Sequence, residues 1–99
     1  MNNPMSQFEG LDTEFLLFTK DVCGYCVAAK NLLNSKGLTY TEVNLQQDHE
    51  LRSALILETG HKTVPIIFDL RSDVFFVGGY TELKLSLIHI SEPTRRRTI

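Results

Sequence analysis

The sequence predicts a small α/β fold in which helices flank a four-stranded mixed sheet. Its 99 residues suffice for one domain, and short apolar runs alternate with segments of helical periodicity in the order β-α-β-α-β-β-α. A strand–helix–strand crossover joins parallel strands, whereas the short polar link between the last two runs is typical of an antiparallel hairpin. The sheet is therefore expected to contain both kinds of strand pair.

The first half of the chain contains the crossover. Phe15–Phe18 is an unbroken apolar run, as in a strand that is buried on both faces. The pattern becomes helical from Tyr25 to Lys36, and Gly37 is a natural C-terminal stop. Leu38–Leu45 alternates loosely and is rich in β-branched and aromatic residues, so it is predicted to be the second strand.

The second half of the chain supplies the remaining elements. Asp48 is placed to cap a second helix, which Gly60 ends. Val64–Phe68 is predicted to be a third strand opened by a proline, with Val74–Val77 as its hairpin partner. Two glycines then break the chain, and Thr81 is placed to cap a last helix. These elements make residues 14–84 the predicted domain, preceded by a polar, flexible N-terminal arm over residues 1–13.

Composition excludes several classes of protein. The formal net charge of −2 argues against a nucleic-acid-binding domain, and no apolar run reaches the roughly 18 residues of a membrane helix. The first residues lack the basic flank and apolar stretch of a signal peptide. Two cysteines are too few for a secreted disulfide scaffold. We expect a soluble, cytoplasmic monomer.

The segment Cys23-Gly24-Tyr25-Cys26 carries the strongest chemical signal, because it follows a buried strand and opens a helix. The thiolate is the reactive form of cysteine, and a helix N-terminus stabilises it through unpaired N–H groups and the positive end of the helix dipole. Lys20 adds a cation three residues upstream. Cys23 is therefore the candidate nucleophile, and Cys26, one turn into the helix, is the candidate resolving thiol.

Other roles for two cysteines fit less well. A zinc site needs two more ligands, and His49 and His61 are too far apart for the usual spacing. Covalent haem needs a histidine directly after the second cysteine, where Val27 stands. Two buried structural cysteines stay open as an alternative, although they do not need a strand-to-helix junction. No metal ligand is assigned.

Two further segments complete the candidate site. A cis bond before Pro65 would leave the backbone of Val64 free to pair with a disulfide substrate, like a short added strand. In the run from Gly78 to Glu82, two glycines allow a ligand backbone to approach, and Thr81 at a helix N-terminus suits a carboxylate. If each segment stood alone, a structural role would explain it: Pro65 would mark the start of a strand, and the glycine run would be a flexible turn followed by a helix N-cap.

Taken together, the three segments resemble the glutaredoxin family, a branch of the thioredoxin fold. The match runs over residues 14–84, with Lys20-x-x-Cys23-Gly24-Tyr25-Cys26, then Lys62-Thr63-Val64-Pro65, then Gly78-Gly79-Tyr80-Thr81-Glu82. The resemblance implies a glutathione-dependent thiol–disulfide oxidoreductase. Cys23 would attack a protein disulfide or a glutathione mixed disulfide, and Cys26 or a second glutathione would resolve the intermediate.

The resemblance also implies where glutathione, the co-substrate, is bound. The tripeptide would lie between the CxxC segment, the Thr-Val-Pro loop and the Gly-Gly turn. Tyr25 would pack on it, and the backbone of Val64 would pair with its cysteine. Carried over residue by residue, the binding residues are Lys20, Tyr25, Lys62, Thr63, Val64, Pro65, Gly79, Thr81 and Glu82.

The two ends of glutathione would meet different groups. By the same resemblance, Lys20 and Lys62 would hold the glycine carboxylate. At the γ-glutamyl end, Thr81 would bind the carboxylate and Glu82 the ammonium group. The protein that receives the electrons, ribonucleotide reductase or another disulfide-containing protein, is not specified by these segments.

Two alternatives to this function stay open. Dithiol members of the family commonly have proline where Gly24 stands, and some relatives with a small residue there resemble dimeric carriers of an iron–sulfur cluster that use glutathione. A redoxin recycled by thioredoxin reductase is the other alternative. Lys62, Thr81 and Glu82 favour glutathione over that enzyme.

The C-terminal segment differs from the rest of the chain. Leu85–Arg95 resembles the translation of a transposon-end adapter used in sequencing libraries. Residues 85–99 are therefore expected to be a non-native tail, and Arg95–Arg97 not to be a nucleic-acid or membrane patch. The alternative is a natural C-terminus whose arginines bind a ligand.

The tail is nevertheless expected to be partly helical. Leu83, Leu87 and Ile90 recur at i, i+4 and i+7, which predicts a docked helix from Thr81 to Ile90. Pro93 prevents the helix from continuing, because it disfavours helical backbone at the preceding residue. An exposed, unpacked end is predicted from Ser91 to Ile99.

Overall fold

A computed structural model describes residues 4–91 of the chain. Its regular elements follow the predicted order β-α-β-α-β-β-α, so the predicted fold class is confirmed. A short 3₁₀ helix, Pro4–Phe8, precedes them. The strands and helices are β1 (Phe15–Thr19), α1 (Gly24–Ser35), β2 (Tyr40–Asn44), α2 (His49–Thr59), β3 (Ile66–Asp69), β4 (Phe75–Gly78) and α3 (Tyr80–Ser91).

The four strands form one mixed sheet in the order β2-β1-β3-β4. The pair β1–β2 is parallel, and the pairs β1–β3 and β3–β4 are antiparallel. The crossover through α1 and the final hairpin therefore form as predicted. The inner strand β1 ends shortly before the CxxC segment. The cysteines therefore lie beyond the carboxyl end of β1, at one end of the strands and not beside an outer strand.

The core lies on both faces of the sheet, and this explains the unbroken apolar run of β1. Side chains alternate between the faces of a strand. Phe15 and Leu17 therefore pack with α1 and α3, whose buried residues include Leu33 and Leu83. Leu16 and Phe18 point to the other face, where they pack against α2 through Leu51 and Leu55 and against β3 through Ile66 and Phe68.

Helix ends are set by local hydrogen bonds, and one predicted cap is wrong. The Asp48 carboxylate accepts the N–H of Leu51 at 3.1 Å, as a capping residue does. Gly60, with φ of +75°, ends α2 as predicted. Helix α3, however, begins at Tyr80, so Thr81 lies inside its first turn and is not the cap. The Glu82 carboxylate instead reaches back to accept the N–H of Gly79 at 2.9 Å.

The N-terminal segment, predicted to be a flexible arm, differs from that expectation. Met5, Phe8 and Leu11 pack against the core cluster on the α2 side of the sheet, and the Phe8 ring meets the Phe18 ring edge-on at 5.2 Å. Met5 and Phe8 are three positions apart, which matches the three residues per turn of a 3₁₀ helix and puts both on its core-facing side. Leu11 follows after the helix has ended and packs on the same cluster.

Helix α3 runs from Tyr80 to Ser91, within one residue at each end of the predicted Thr81 to Ile90. Leu83 and Leu87 are buried on the face that packs against α1, as their spacing predicts. Apart from Ser91, the predicted unpacked end lies outside the described residues. Among the helices of residues 4–91, none is long and apolar enough to cross a membrane.

Candidate active site

Cys23 is the residue from which α1 starts. Its backbone is extended, and its Sγ accepts the N–H of Cys26 at 3.1 Å, so the sulfur itself caps the helix. Cys23 is half-buried, whereas Cys26 is only 2% exposed and belongs to the buried face of α1. The two sulfurs are joined in a disulfide. A substrate can therefore approach Cys23 and not Cys26.

The loop before β3 faces the cysteines across the site. The Val64–Pro65 peptide bond is cis, as predicted. The carbonyl oxygen of Val64 lies 3.8 Å from Cys23 Sγ, although the two residues are 41 positions apart. The backbone of Val64 thus borders the space in front of the reactive sulfur.

Two adjoining clefts surround this sulfur, and together they include the nine predicted binding residues. The first, of about 290 Å³, is lined by Lys20, Val22, Cys23, Gly24, Tyr25, Arg52, Lys62, Thr63 and Val64. The second, of about 240 Å³, is lined by Tyr25, His61, Thr63, Val64, Pro65, Gly79, Tyr80, Thr81 and Glu82. Because Tyr25, Thr63 and Val64 line both, the clefts form one groove that begins at Cys23 and ends at the start of α3.

The Cys23 end of the groove is positively charged. Lys20, Arg52 and Lys62 line it, and within residues 4–91 the ion pairs are formed elsewhere, by Lys30 with Glu42 and by Arg71 with Asp69. The Arg52 guanidinium reaches the carbonyl oxygen of Lys62 at 3.5 Å. These three cations, which have no acidic partner within the described part of the chain, are suited to hold an anionic group next to the thiolate.

The α3 end of the groove carries the opposite charge. Hydrogen bonding from the N–H of Gly79 holds the pKa of Glu82 below its usual range, and the nearby His61 ring contributes to this. A methyl group added to Gly79 would lie only 3.2 Å from His61 Nε2 and 3.5 Å from Glu82 Oε1, so glycine lets the His61 ring and the carboxylate lie close to the backbone. This end therefore offers an ionised carboxylate in the cleft.

Arg52 and His61 are site residues that the sequence analysis missed. Arg52 lies in the first turns of α2, and no local pattern connects it with a loop ten residues later. His61 lies too far from His49 in the sequence for the usual spacing of zinc ligands, and in the structure its ring packs edge-on against Phe76 and faces the groove. Residues 4–91 hold no group of three or more histidine, cysteine, aspartate or glutamate side chains that could bind a metal ion.

Comparison with known proteins agrees with this arrangement. The glutaredoxin family model matches residues 15–71. Glutaredoxin 3 of Escherichia coli K12 is 37% identical over 67 residues, which are 68% of this chain and 77% of that protein.

Solved structures agree as well. The glutaredoxin–glutathione complex from buckwheat has a TM-score of 0.73 at 26% identity, over 86% of this chain and 79% of that one. Reduced glutaredoxin C1 from Populus tremula x tremuloides has a TM-score of 0.70 at 32% identity, over 79% and 67% of the two chains. The chain belongs to the glutaredoxin family and is a thiol–disulfide oxidoreductase of the thioredoxin fold.

Proposed function

We propose that Cys23 is the nucleophile of this glutathione-dependent oxidoreductase and that Cys26 is its resolving thiol. The observation that carries the assignment is the position of the Cys23 sulfur, at the N-terminus of α1 and within 3.1 Å of the Cys26 nitrogen. Helix N–H groups stabilise a thiolate there, and the cations of the neighbouring cleft act in the same direction. Cys26, which is buried one turn further on, has the geometry to attack Cys23 and little access to substrate.

With a glutathione mixed disulfide, the Cys23 thiolate attacks the glutathione sulfur. A disulfide forms between Cys23 and glutathione while the old one breaks, and the protein sulfur leaves with the electron pair and takes up a proton. A second glutathione, as thiolate, then attacks the glutathione sulfur held on Cys23. Oxidised glutathione leaves, and the Cys23 thiolate is restored.

With a protein disulfide, Cys23 first joins one protein sulfur and releases the other as a thiol. Cys26 loses its proton and attacks the Cys23 sulfur, which releases the second protein thiol. The product is the Cys23–Cys26 disulfide, the form present in the structure. Two glutathione molecules reduce it and leave as oxidised glutathione.

The groove suggests how glutathione is oriented. Lys20, Arg52 and Lys62 form its positive end and suit the glycine carboxylate. Thr81 and Glu82 lie at the other end and suit the carboxylate and ammonium of the γ-glutamyl group. The buckwheat relative, solved as a glutathione complex, supports the tripeptide as the ligand.

The test is a coupled assay with glutathione, glutathione reductase and a glutathionylated peptide. Cys26→Ser should keep its activity on this substrate and lose it on a protein disulfide, because only the second route needs the resolving thiol. Cys23→Ser should be inactive on both. Activity of Cys23→Ser, or loss of both activities in a folded Cys26→Ser, would contradict the assignment.

A further inference from the structure

Two tyrosine rings meet at the edge of the groove. Tyr25, in the first turn of α1, stacks on Tyr80, the first residue of α3, with ring centroids 5.9 Å apart and planes inclined by 28°. Both rings line the cleft that contains Val64, Thr81 and Glu82. The stack therefore joins the start of the CxxC helix to the start of α3.

The two partners differ in how firmly they are held. Tyr25 is 66% exposed, and one face of its ring is stacked on Tyr80. Tyr80 is half-buried and packs against the core cluster that α1 and α3 share. The residue before it, Gly79, is fixed by two hydrogen bonds, since its carbonyl oxygen accepts the N–H of Leu83 at 3.0 Å and its own N–H donates to Glu82 at 2.9 Å. Tyr80 is the anchored ring, and Tyr25 is the ring that it orders.

An ordered Tyr25 matters for binding. A ring that moves freely before a ligand arrives loses that freedom on contact, and the loss weakens the complex. A ring already held at the edge of the groove has lost that freedom before the ligand arrives. Stacking needs the aromatic face of Tyr80 and not its hydroxyl, so phenylalanine at that position should serve as well.

We propose that Tyr80 is a positioning residue that holds Tyr25 against the groove and thereby strengthens binding of the glutathione part of the substrate. The inference rests on the proposed function, because it takes glutathione as the ligand of the groove. Tyr80 acts before the chemical step, so its removal should change KM much more than kcat.

The main experiment compares three variants in the coupled assay with a glutathionylated peptide. Tyr80→Ala should raise KM about three- to tenfold and leave kcat within about twofold. Tyr80→Phe should behave like the wild type. Tyr40→Ala is the matched control, because Tyr40 is also a half-buried tyrosine on the same core cluster but lines neither cleft. It should lower the melting temperature without changing KM.

A double variant tests whether Tyr80 acts through Tyr25. In a Tyr25→Ala background, Tyr80→Ala should raise KM little further, because the ring that it orders is gone. Fully additive effects on KM would overturn the proposal. So would an unchanged KM in Tyr80→Ala, or loss of activity in Tyr80→Phe.

Two further measurements show whether a changed KM comes from weaker binding, from a disturbed thiol or from a wrong assignment of function. The reduced variants should react with 4,4′-dithiodipyridine, a disulfide without a peptide, at the wild-type rate. If Tyr80→Ala slows this reaction as much as it slows reduction of the glutathionylated peptide, the thiol itself is disturbed and the proposal is overturned. A wild type that cannot reduce the glutathionylated peptide contradicts the proposed function itself. An active wild type whose KM does not depend on Tyr80 contradicts the role of Tyr80 alone.

Discussion

The sulfur of Cys23 stands where a helix usually has a serine, threonine or aspartate side chain. Its contact with the Cys26 N–H places the reactive atom in the field of the first turn of α1. Because a thiolate accepts such a hydrogen bond more strongly than a thiol, the position favours the charged form. Cys26 receives no comparable support, since its side chain belongs to the buried face of the same helix.

Alkylation of the reduced protein tests this difference between the two thiols. Cys23 should react with iodoacetamide first and should already react rapidly at a pH where a free thiol, with its pKa of about 8.5, is mostly protonated. The measurement is the rate against pH, with Cys26→Ser and Cys23→Ser reporting one thiol each. Faster reaction at Cys26, or free-thiol behaviour at Cys23, would contradict the prediction.

A single cation at the positive end of the groove should affect binding more than chemistry. Lys62→Ala should raise KM for glutathione by about three- to tenfold with a smaller effect on kcat, because the contact is equally present in the ground state and the transition state. Lys84→Ala removes a lysine outside both clefts and should leave KM unchanged. The measurement is KM and kcat from steady-state kinetics at fixed ionic strength. Equal changes of KM in Lys62→Ala and Lys84→Ala would argue against a local contact between Lys62 and glutathione.

At the scale of elements, one carboxylate ties three of them together. Glu42 on β2 accepts the hydroxyl of Thr19, at the end of β1, at 2.7 Å, and the ammonium of Lys30 on α1 at 3.1 Å. The hydroxyl bond lowers the pKa of Glu42 from 4.5, burial opposes this, and Lys30 lowers it further. The tie holds the CxxC helix against the parallel strand pair.

This tie predicts a pH dependence of stability. Since the pKa of Glu42 is lower in the folded protein, its ionised form stabilises the fold above pH 4.5, and this contribution is lost as the pH falls through the lowered value. Glu42→Gln should be less stable than the wild type at pH 7, by less than about 1 kcal/mol because the pair is partly exposed. The difference should shrink as the pH falls and disappear once Glu42 is protonated in the folded protein.

Urea unfolding at several pH values measures the difference in the free energy of unfolding between the wild type and Glu42→Gln. Glu58→Gln, which changes an exposed carboxylate without an ion pair to residues 4–91, is the control and should follow the wild type throughout. A difference between wild type and Glu42→Gln that does not change with pH would mean that the charge of Glu42 contributes nothing.

The N-terminal 3₁₀ helix makes a second prediction at this scale. Phe8 is half-buried and packs edge-on against the fully buried Phe18. Phe8→Ala should therefore reduce the free energy of unfolding by about 1–2 kcal/mol. Gln7→Ala, on the exposed side of the same helix, should have almost no effect. Equal stability of the two variants in urea would favour the flexible arm predicted from the sequence.

At the scale of the whole molecule, charge is unevenly distributed. The chain carries a net charge of −2, yet three cations without acidic partners among residues 4–91 meet at the Cys23 cleft. Their local field acts on the thiolate and on an incoming anionic substrate, whatever the sign of the total. Net charge is thus informative about nucleic-acid binding and uninformative about this site.

The C-terminal tail is expected to contribute nothing to the activity or stability of the whole molecule. Deleting residues 91–99 should leave both activity and melting temperature unchanged, because Leu83 and Leu87, the buried residues of α3 among the side chains that the structure describes, lie before the cut. Resequencing the source DNA would show whether the reading frame runs through the adapter-like segment. A clear loss of activity or stability on deletion would mean that the tail is a working part of the protein.

The sequence by itself determined the order of the elements and the placement of the cysteines. These depend on interactions within a few residues: the apolar run of Phe15–Phe18, the cap at Asp48, the stop at Gly60 and the sulfur at the start of α1. The one wrong cap, Thr81, shows the limit of this: the helix begins at Tyr80, two residues before a Thr81 cap would allow, and the Glu82 carboxylate accepts the N–H of Gly79 there.

Only the tertiary structure decided which distant side chains meet. Arg52 reaches Lys62 because α2 runs beside the loop before β3, and Tyr25 stacks on Tyr80, 55 positions later, because α1 and α3 start at the same end of the strands. Met5, Phe8 and Leu11 are partly buried only because the core surface formed by β1, α2 and β3 lies next to them, and their spacing alone does not show that surface. Local preferences specify elements, whereas such contacts depend on how the packed core sets the elements against one another.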